Sequence, residues 1–481
     1  MRLYLKECKK IVCNVIYYVF IAFLLISWYQ NFSKVTKDEI DWANGGPGPL
    51  FTLDRPLLAE PAPEDSTFGS KTTEDPEKIM RGATDALLTE YKENIYAAYP
   101  FGNYKAISLS QEQQARVLEI LCEITGLNPE QLDNLPEGYF PMVNGSTIHF
   151  GTGNMEQTEN GFSITVGGDK SETQSDGVFS FSIGNGSEHN DNPDIAAVFT
   201  PQVTYEQFKA LMSEMEGIIG ESNCRYTMKM MITYYGLTEM SYDEAMADYQ
   251  QTIENDKITG GFARLFCDYM GQVLGLYPIF LIVVIWLKDK YSNMDGLIYS
   301  RKVSTAKLLI IRYMASITML LFPVILISFQ SLIPLVEYGA VRGLSVNCFA
   351  FIQYILWWLL PTVMVVAAIG TIFTLLTDTP VAILLQAAWW FIDRSTTDLS
   401  GDTRLFTLMV RHNTLRDYEL IRQNFTMLCL NRLCLVVISI MLVACSAWIL
   451  AQKRKGKLNA KPHFEKWILA VKSKLGLGCK A

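Results

Sequence analysis

The stretch FCDYMGQVLGLYPIFLIVVIWLKDKYSNMDGLIYSRKVSTAK, residues 266–307, changes character at Lys288. Phe266 to Leu287 is apolar and long enough to cross a membrane, which takes about 20 mainly apolar residues. From Lys288 to Lys307 the chain is polar and basic, as a cytoplasmic loop should be. That loop nevertheless carries Tyr291, Met294, Leu297 and Ile298 at i, i+3, i+6 and i+7, one face of a helix. Two explanations fit this stripe equally well. It is either a short amphipathic helix resting on the membrane interface or a helix inserted into a groove on a partner.

Working outward, four more runs reach spanning length: Ile11 to Tyr29, Leu308 to Leu335, Asn347 to Thr377 and Met427 to Ala451. Pro380 to Ile392 is apolar but short, a length found in re-entrant or buried segments. Composition agrees, with 19% charged residues against roughly 25% in soluble domains. The first run follows the basic MRLYLKECKK, exceeds a signal-peptide core, lacks a small-x-small cleavage site and ends in the interfacial pair Trp28 and Tyr29. It is expected to be a retained helix. Counting Pro380 to Ile392 as a crossing gives the expected fold class, an α-helical polytopic membrane protein with six transmembrane helices and an inserted α+β extracellular domain. The expected divisions are 1–29 (cytoplasmic segment and first helix), 30–265 (extracellular domain), 266–451 (helices two to six, with the cytoplasmic loop 288–307) and 452–481 (a basic cytoplasmic tail).

The placement of Lys and Arg orients the chain. Arg2, Lys6, Lys9 and Lys10 put the N-terminus in the cytoplasm, and the tail QKRKGKLNAKPHFEKW puts the C-terminus there too. The connection 393–426 falls outside, although it holds Arg394, Arg404, Arg411, Arg416 and Arg422, against the general rule. The formal net charge of −8 conceals an asymmetry: residues 31–265 carry 37 of the 49 acidic side chains but only 15 of the 41 Lys and Arg. An acidic exterior serves solubility. No nucleic-acid partner is expected, because the basic residues lie where membrane topology already accounts for them.

The exterior region opens on NGGPGPLFTLDRPLLAEPAPED, residues 44–65, an extended linker by its Pro and Gly content. Ser110 with Gln113 and Thr204 with Gln207 have the spacing of capping boxes, each followed by an apolar helical face. STIHF, GFSITV and VFSFSI alternate as strands do. Ser241 and Glu244 start a further helix leading toward the second crossing. Catalytic signals are missing. The four histidines have no metal spacing, VGGDKSET (166–173) lacks the phosphate-loop spacing, and neither H-E-x-x-H nor G-x-S-x-G occurs. No cofactor and no enzymatic activity are expected. Of ten cysteines, Cys122 and Cys224 alone lie well inside the exterior region, and the sequence leaves open whether they form a disulfide.

Within the crossings Gln330, Gln353 and Gln386 are neutral, and the charges recognised lie at helix ends. Arg264 and Asp268, four apart, are expected to pair on one face. Gly271 and Gly275 form G-x-x-x-G, a signal for close helix packing or for subunit pairing. With no chain of buried acids an ion-coupled carrier is disfavoured, so transport has to be driven by another polypeptide.

MRLYLKECKK, DKYSNMDGLIYSRKVSTAKLLIIRYMA, LLTDTP and residues 393–426 together resemble the permease subunit of an ABC transporter of the ABC-2 type, and DKITGGFARLFCDYMG (256–271) resembles members with a large extracellular domain between the first two helices. The resemblance implies a coupling helix in the loop, with Asp289, Gly296 and Ser300 standing for the family's acidic residue, glycine and serine, although the spacing here is Gly-x-x-x-Ser, one residue shorter than the family's Gly-x-x-x-x-Ser. It implies a separate ATP-binding subunit that hydrolyses ATP, a second permease subunit and a bacterial cell membrane. The partner-ATPase coupling site is then Asp289, Tyr291, Met294, Gly296, Leu297, Ile298 and Ser300. The competing expectation is a non-transporting membrane receptor or assembly scaffold whose extracellular domain binds a peptide or envelope component.

Overall fold

The computed structural model describes residues 2–45, 55–65, 68–100, 104–133, 156–158, 161–165, 180–184, 200–221, 223–292, 304–396, 405–416, 418–455 and 457. The chain forms two compact units, one of Met1–Gly48, Pro56–Asp65 and Tyr242–Ala481, the other of Pro49–Arg55 and Ser66–Ser241.

The first unit is helical. Five of its helices are long and apolar enough to cross a membrane: Val15–Ala43, Thr259–Tyr291, Thr305–Arg342, Ala350–Thr377 and Phe425–Arg454. They are the first to fifth long helices below. An amphipathic helix, Arg2–Val12, precedes them, and Asn14 caps the start of the first long helix by accepting from Ile16 N. That helix runs well past Trp28 and Tyr29, where the aromatic pair was expected to end it. It passes through a π-helical turn, Tyr29–Ser33, and continues to Ala43. The physical reason lies in the residues after Tyr29. No Gly or Pro interrupts them before Gly45, and Phe32, Thr36, Glu39 and Ala43 recur on one buried face. Residues 30–43 therefore extend the first helix, and Tyr242–Glu254 also belongs to this unit, so the inserted segment is shorter than 30–265.

The second long helix starts at Thr259, seven residues before the apolar run, and breaks at Tyr277 ahead of Pro278. Proline has no N–H to give the preceding turn, so a helix divides or kinks there. The fourth long helix handles Pro361 differently, with a π-helical turn at Ile355–Leu359 just before it. Phe32, Phe266 and Phe351 meet edge-on, with centroids 5.4, 6.1 and 5.4 Å apart, and join the first, second and fourth long helices in the core. Gly370 lets the fourth helix approach the second, because a Cβ there would stand 2.8 Å from Ile282 Cγ2. Gly271 and Gly275 are buried within the bundle, and a Cβ on Gly275 would meet Met409 Sδ at 2.9 Å and Trp390 Cδ1 at 3.0 Å. The G-x-x-x-G thus packs inside the chain, not against a second copy.

The expected short crossing forms a helix of 16 residues, Val381–Thr396. Leu405 to Arg416 then runs without helix or strand, and Thr407 to His412 are all buried.

In the second unit, the helices Pro76–Glu93, Gln111–Thr125, Tyr205–Ile219 and Met228–Tyr235 pack through Ile79, Leu87, Val117, Leu121, Phe208 and Met212. Both expected capping boxes form, and Gly126 and Gly220 end their helices in the left-handed conformation that glycine adopts without a Cβ clash. The strands are short. Ser70–Thr72 pairs with Leu237–Glu239, Tyr96–Ala98 with Lys105–Ile107, and Glu156–Thr158, Gly161–Thr165 and Ser180–Gly184 make an antiparallel sheet. GFSITV and VFSFSI supply two of those last strands, while STIHF lies outside the described residues. Cys122 and Cys224 are free thiols.

Candidate functional site

The second and third long helices flank the 288–307 loop, ending at Tyr291 and starting at Thr305. Around this loop end of the bundle, charged side chains form two clusters. Arg312, almost fully buried, donates from Nε to Glu7 Oε2 at 3.0 Å and from Nη2 to Asp289 Oδ2 at 2.6 Å. Its guanidinium also lies 4.5 Å from the ring centre of Trp286. Lys10 Nζ sits 3.3 Å from Glu7 and 3.7 Å from Asp289. One arginine thereby ties the amphipathic N-terminal helix to both helices that carry the loop. Buried charge is tolerated here because each charge has an opposite partner, and removing one partner of such a group costs about 3–5 kcal/mol.

The second cluster centres on Asp378, the left-handed residue that ends the fourth long helix. Its carboxylate takes Lys290 at 2.6 Å and Lys453 at 2.8 Å. Arg454 donates to Thr305 Oγ1 at 2.9 Å. All four helix ends next to the loop are linked by side chains. Of the expected coupling residues, Asp289 is in the first cluster and Tyr291 is 72% exposed. Met294, Gly296, Leu297, Ile298 and Ser300 lie outside the described residues.

Toward the other end, a buried polar centre surrounds the non-helical stretch Leu405 to Arg416. Where such a stretch passes through a helical bundle, its N–H and C=O groups need partners within the protein. Side chains provide them. Asp268 accepts from Arg411 Nε at 2.6 Å and from His412 N at 2.8 Å. Asp393 accepts from Leu408 N and Met409 N at 2.9 and 3.1 Å. Arg432 donates to the carbonyls of Thr407 and Trp358, both at 3.0 Å, and to Leu408 O at 3.3 Å. Asn431 adds bonds to Leu405 O and Thr407 O, each at 2.9 Å.

Two sequence expectations change here. Arg264 and Asp268 do not pair with each other: Arg264 holds Asp256 through both terminal nitrogens at 2.5 and 2.7 Å, while Asp268 takes Arg411. The contact across the bundle outcompetes the i,i+4 neighbour because the fold buries Asp268 and Arg411 against each other. Buried charge is also not confined to helix ends. Arg432 lies well inside the apolar run Met427 to Ala451, where a cation in a spanning helix was the available signal. Three of the five arginines of 393–426 have acidic partners, and Arg404 lies outside the described residues. Arg411 pairs with Asp268 and Arg416 with Asp248 at 2.8 Å, so these two weigh less in orienting the loop, while Arg422 meets Glu419 at 3.4 Å on the exposed surface.

Among the described residues, no group of three or more His, Cys, Asp and Glu is arranged to hold a metal ion. Comparison with protein-family models, with curated proteins and with solved structures gives no match to this chain.

Proposed function

We propose that this chain is the membrane-spanning permease subunit of an ATP-driven transporter of the ABC-2 kind. It crosses the membrane six times, keeps both termini in the cytoplasm and holds its inserted α+β segment outside. A separate ATP-binding subunit hydrolyses ATP and docks on the loop helix of 289–300, and a second permease subunit, identical or related, completes the pathway. The substrate is exported or extruded from the membrane.

The observation that carries this reading is the Glu7–Arg312–Asp289 cluster. Force applied to the loop by a docked partner passes through Asp289 to the N-terminal helix and the third long helix at once. Six passages are supported by the last long helix, which has Lys453 beside Asp378 and Phe425 beside Trp357, ring centres 5.3 Å apart. The fourth and fifth long helices run in the same direction, so the chain returns between them through Val381–Thr396 and the stretch that follows.

The test is co-purification from native membranes. The tagged chain should carry an ATP-hydrolysing polypeptide with it, and Met294→Asp with Leu297→Asp should abolish that recovery while membrane expression stays normal. Unpaired carboxylates in an apolar docking groove account for the loss. Unchanged recovery of ATPase activity with the double variant would defeat the docking role, and no ATPase at all with the wild-type chain would favour the scaffold.

A further inference from the structure

Between the first and third long helices lies a groove of about 370 Å³ that nothing in the transport reading assigns. Both helices are irregular where they border it: the first makes its π-helical turn at Tyr29–Ser33, and the third carries Pro334. π-Helical turns of this kind concentrate at functional sites. One part of the lining is apolar, built from Trp28, Phe32, Ile333 and Pro334. Trp28 is held in place by its indole N–H, which donates to Ser331 Oγ at 2.8 Å. Further along lie Lys37 and Asp41 from the first helix and Glu337 from the third. These three charges form no ion pair among the described residues.

We propose that the groove binds one membrane phospholipid with a zwitterionic head, its phosphate at Lys37 and its ammonium at Asp41 and Glu337. The argument is one of chemistry in sequence along the groove. Trp28 stands at the end of the apolar run of the first helix and lines the acyl end of the groove, and Lys37 stands about 14 Å further along the helix axis. From Trp28 to Asp41 the helix rises about 20 Å, so the groove leads from acyl chains to polar surroundings. The volume falls at the lower end of the usual ligand-pocket range of roughly 300–1,000 Å³. That suits a headgroup and the nearest part of one chain, with the remainder left in the bilayer. A cation and two carboxylates with no ion-pair partner among the described residues match a head that carries both signs, and match a purely anionic head less well. Ser33 and Gln330 offer hydrogen bonds to the ester region between the two zones. The inference stands whether or not the chain moves a substrate.

The experiment uses the full chain in vesicles of phosphatidylglycerol containing a trace of phosphatidylethanolamine with a photoreactive acyl chain. Crosslinks are expected to concentrate in peptides spanning 28–41 and 330–337, and to be competed by unlabelled phosphatidylethanolamine but not by phosphatidylglycerol or free phosphoethanolamine. Lys37→Glu removes the phosphate's charged partner and should lower that labelling at least about tenfold. Lys37 is exposed, so the change leaves folding alone. Ser33→Trp fills the groove and should do the same by a different route. Labelling spread evenly over the lipid-exposed helices, or enriched labelling that both variants leave intact, overturns the proposal.

Discussion

Arg432 is buried at the polar centre of the bundle. It has no carboxylate as its first partner; instead it distributes its donors over three backbone carbonyls, Thr362 Oγ1 and Asn431 Oδ1. A planar fork of five donors suits that arrangement, and a lysine ammonium with three donors on one atom does not. Arg432→Lys should therefore lower the melting temperature of the detergent-solubilised chain nearly as far as Arg432→Met, with each lost carbonyl partner worth about 1–3 kcal/mol. A near-native melting curve for the lysine variant would show that charge alone suffices. In the other unit, Glu90 is the buried acid of interest. Burial holds its carboxyl above the ordinary carboxylate range, against the opposing pull of Arg225 and of the Tyr226 hydroxyl 2.6 Å away. A folded-state value raised above the unfolded one means the native state keeps its proton longer, so stability is lost as pH rises through the folded value and regained as pH falls toward the unfolded one. Glu90→Gln should remove that dependence. Hydrogen-exchange protection of 76–98 in the full chain, corrected for intrinsic rates, should decline from mildly acid to neutral pH in the wild type and decline less in the variant. Equal slopes in the two proteins would exclude Glu90 as the cause. Such sites were poorly legible in the sequence. Asp268 meets Arg411 across 143 positions, and no periodicity reports a contact of that separation.

At the scale of elements, local chemistry was read well wherever it acts alone. The capping boxes at Ser110 and Thr204 and the glycine stops at Gly126 and Gly220 need only a few neighbouring residues, and they form as the spacing requires. Helix ends set by tertiary packing were read less well. The first long helix continues to Ala43 because Phe32, Thr36 and Glu39 find buried places, and hydropathy alone stops at the last strongly apolar residue. The short helix Val381–Thr396 was legible as an exception, but the stretch after it was not, since a polar, arginine-containing sequence gives no sign that Asp268, Asp393 and Arg432 will satisfy its backbone. Two glycines test the packing. Gly370 faces Ile279 and Ile282 with no space for a side chain, so Gly370→Leu should destabilise the bundle by about 1–3 kcal/mol or more through overpacking. Gly217 lies within the helix Tyr205–Ile219 with nothing within 4 Å of a new Cβ. Gly217→Ala should stabilise that unit by about 0.5–1 kcal/mol, because alanine has less backbone freedom to lose. Thermal melts and hydrogen exchange of the two variants should move in opposite directions, and a shift of the same sign in both would contradict the packing argument.

For the whole molecule, the sequence's charge asymmetry and the bundle's ion pairs bear on the same question, which side of the membrane each end faces. Basic residues crowd the loop end: Lys10, Lys290, Lys453 and Arg454 all take part in its polar clusters or border them. Such crowding supports the proposed cytoplasmic placement of this end. Two of the arginines of 393–426 weigh less against this placement, because Arg411 and Arg416 pair with Asp268 and Asp248. On the proposed topology the segment between Asp378 and Phe425 supplies a sixth passage, begun by the short helix Val381–Thr396 and continued by the stretch Leu405 to Arg416. Three single thiols in an otherwise cysteine-free chain separate this topology from one with five passages. Cys348, exposed between the third and fourth long helices, should react with a membrane-impermeant maleimide from outside intact cells. A thiol at exposed Ser292 should react only after lysis. Arg422→Cys is the deciding position, because its side chain is 71% exposed just before the last long helix. With six passages it lies outside and labels together with Cys348. With five it lies inside and labels together with Ser292→Cys, which would carry the basic tail after Arg454 to the outside and break the match between charge and side. The expected pattern is external labelling of Cys348 and Arg422→Cys and protection of Ser292→Cys.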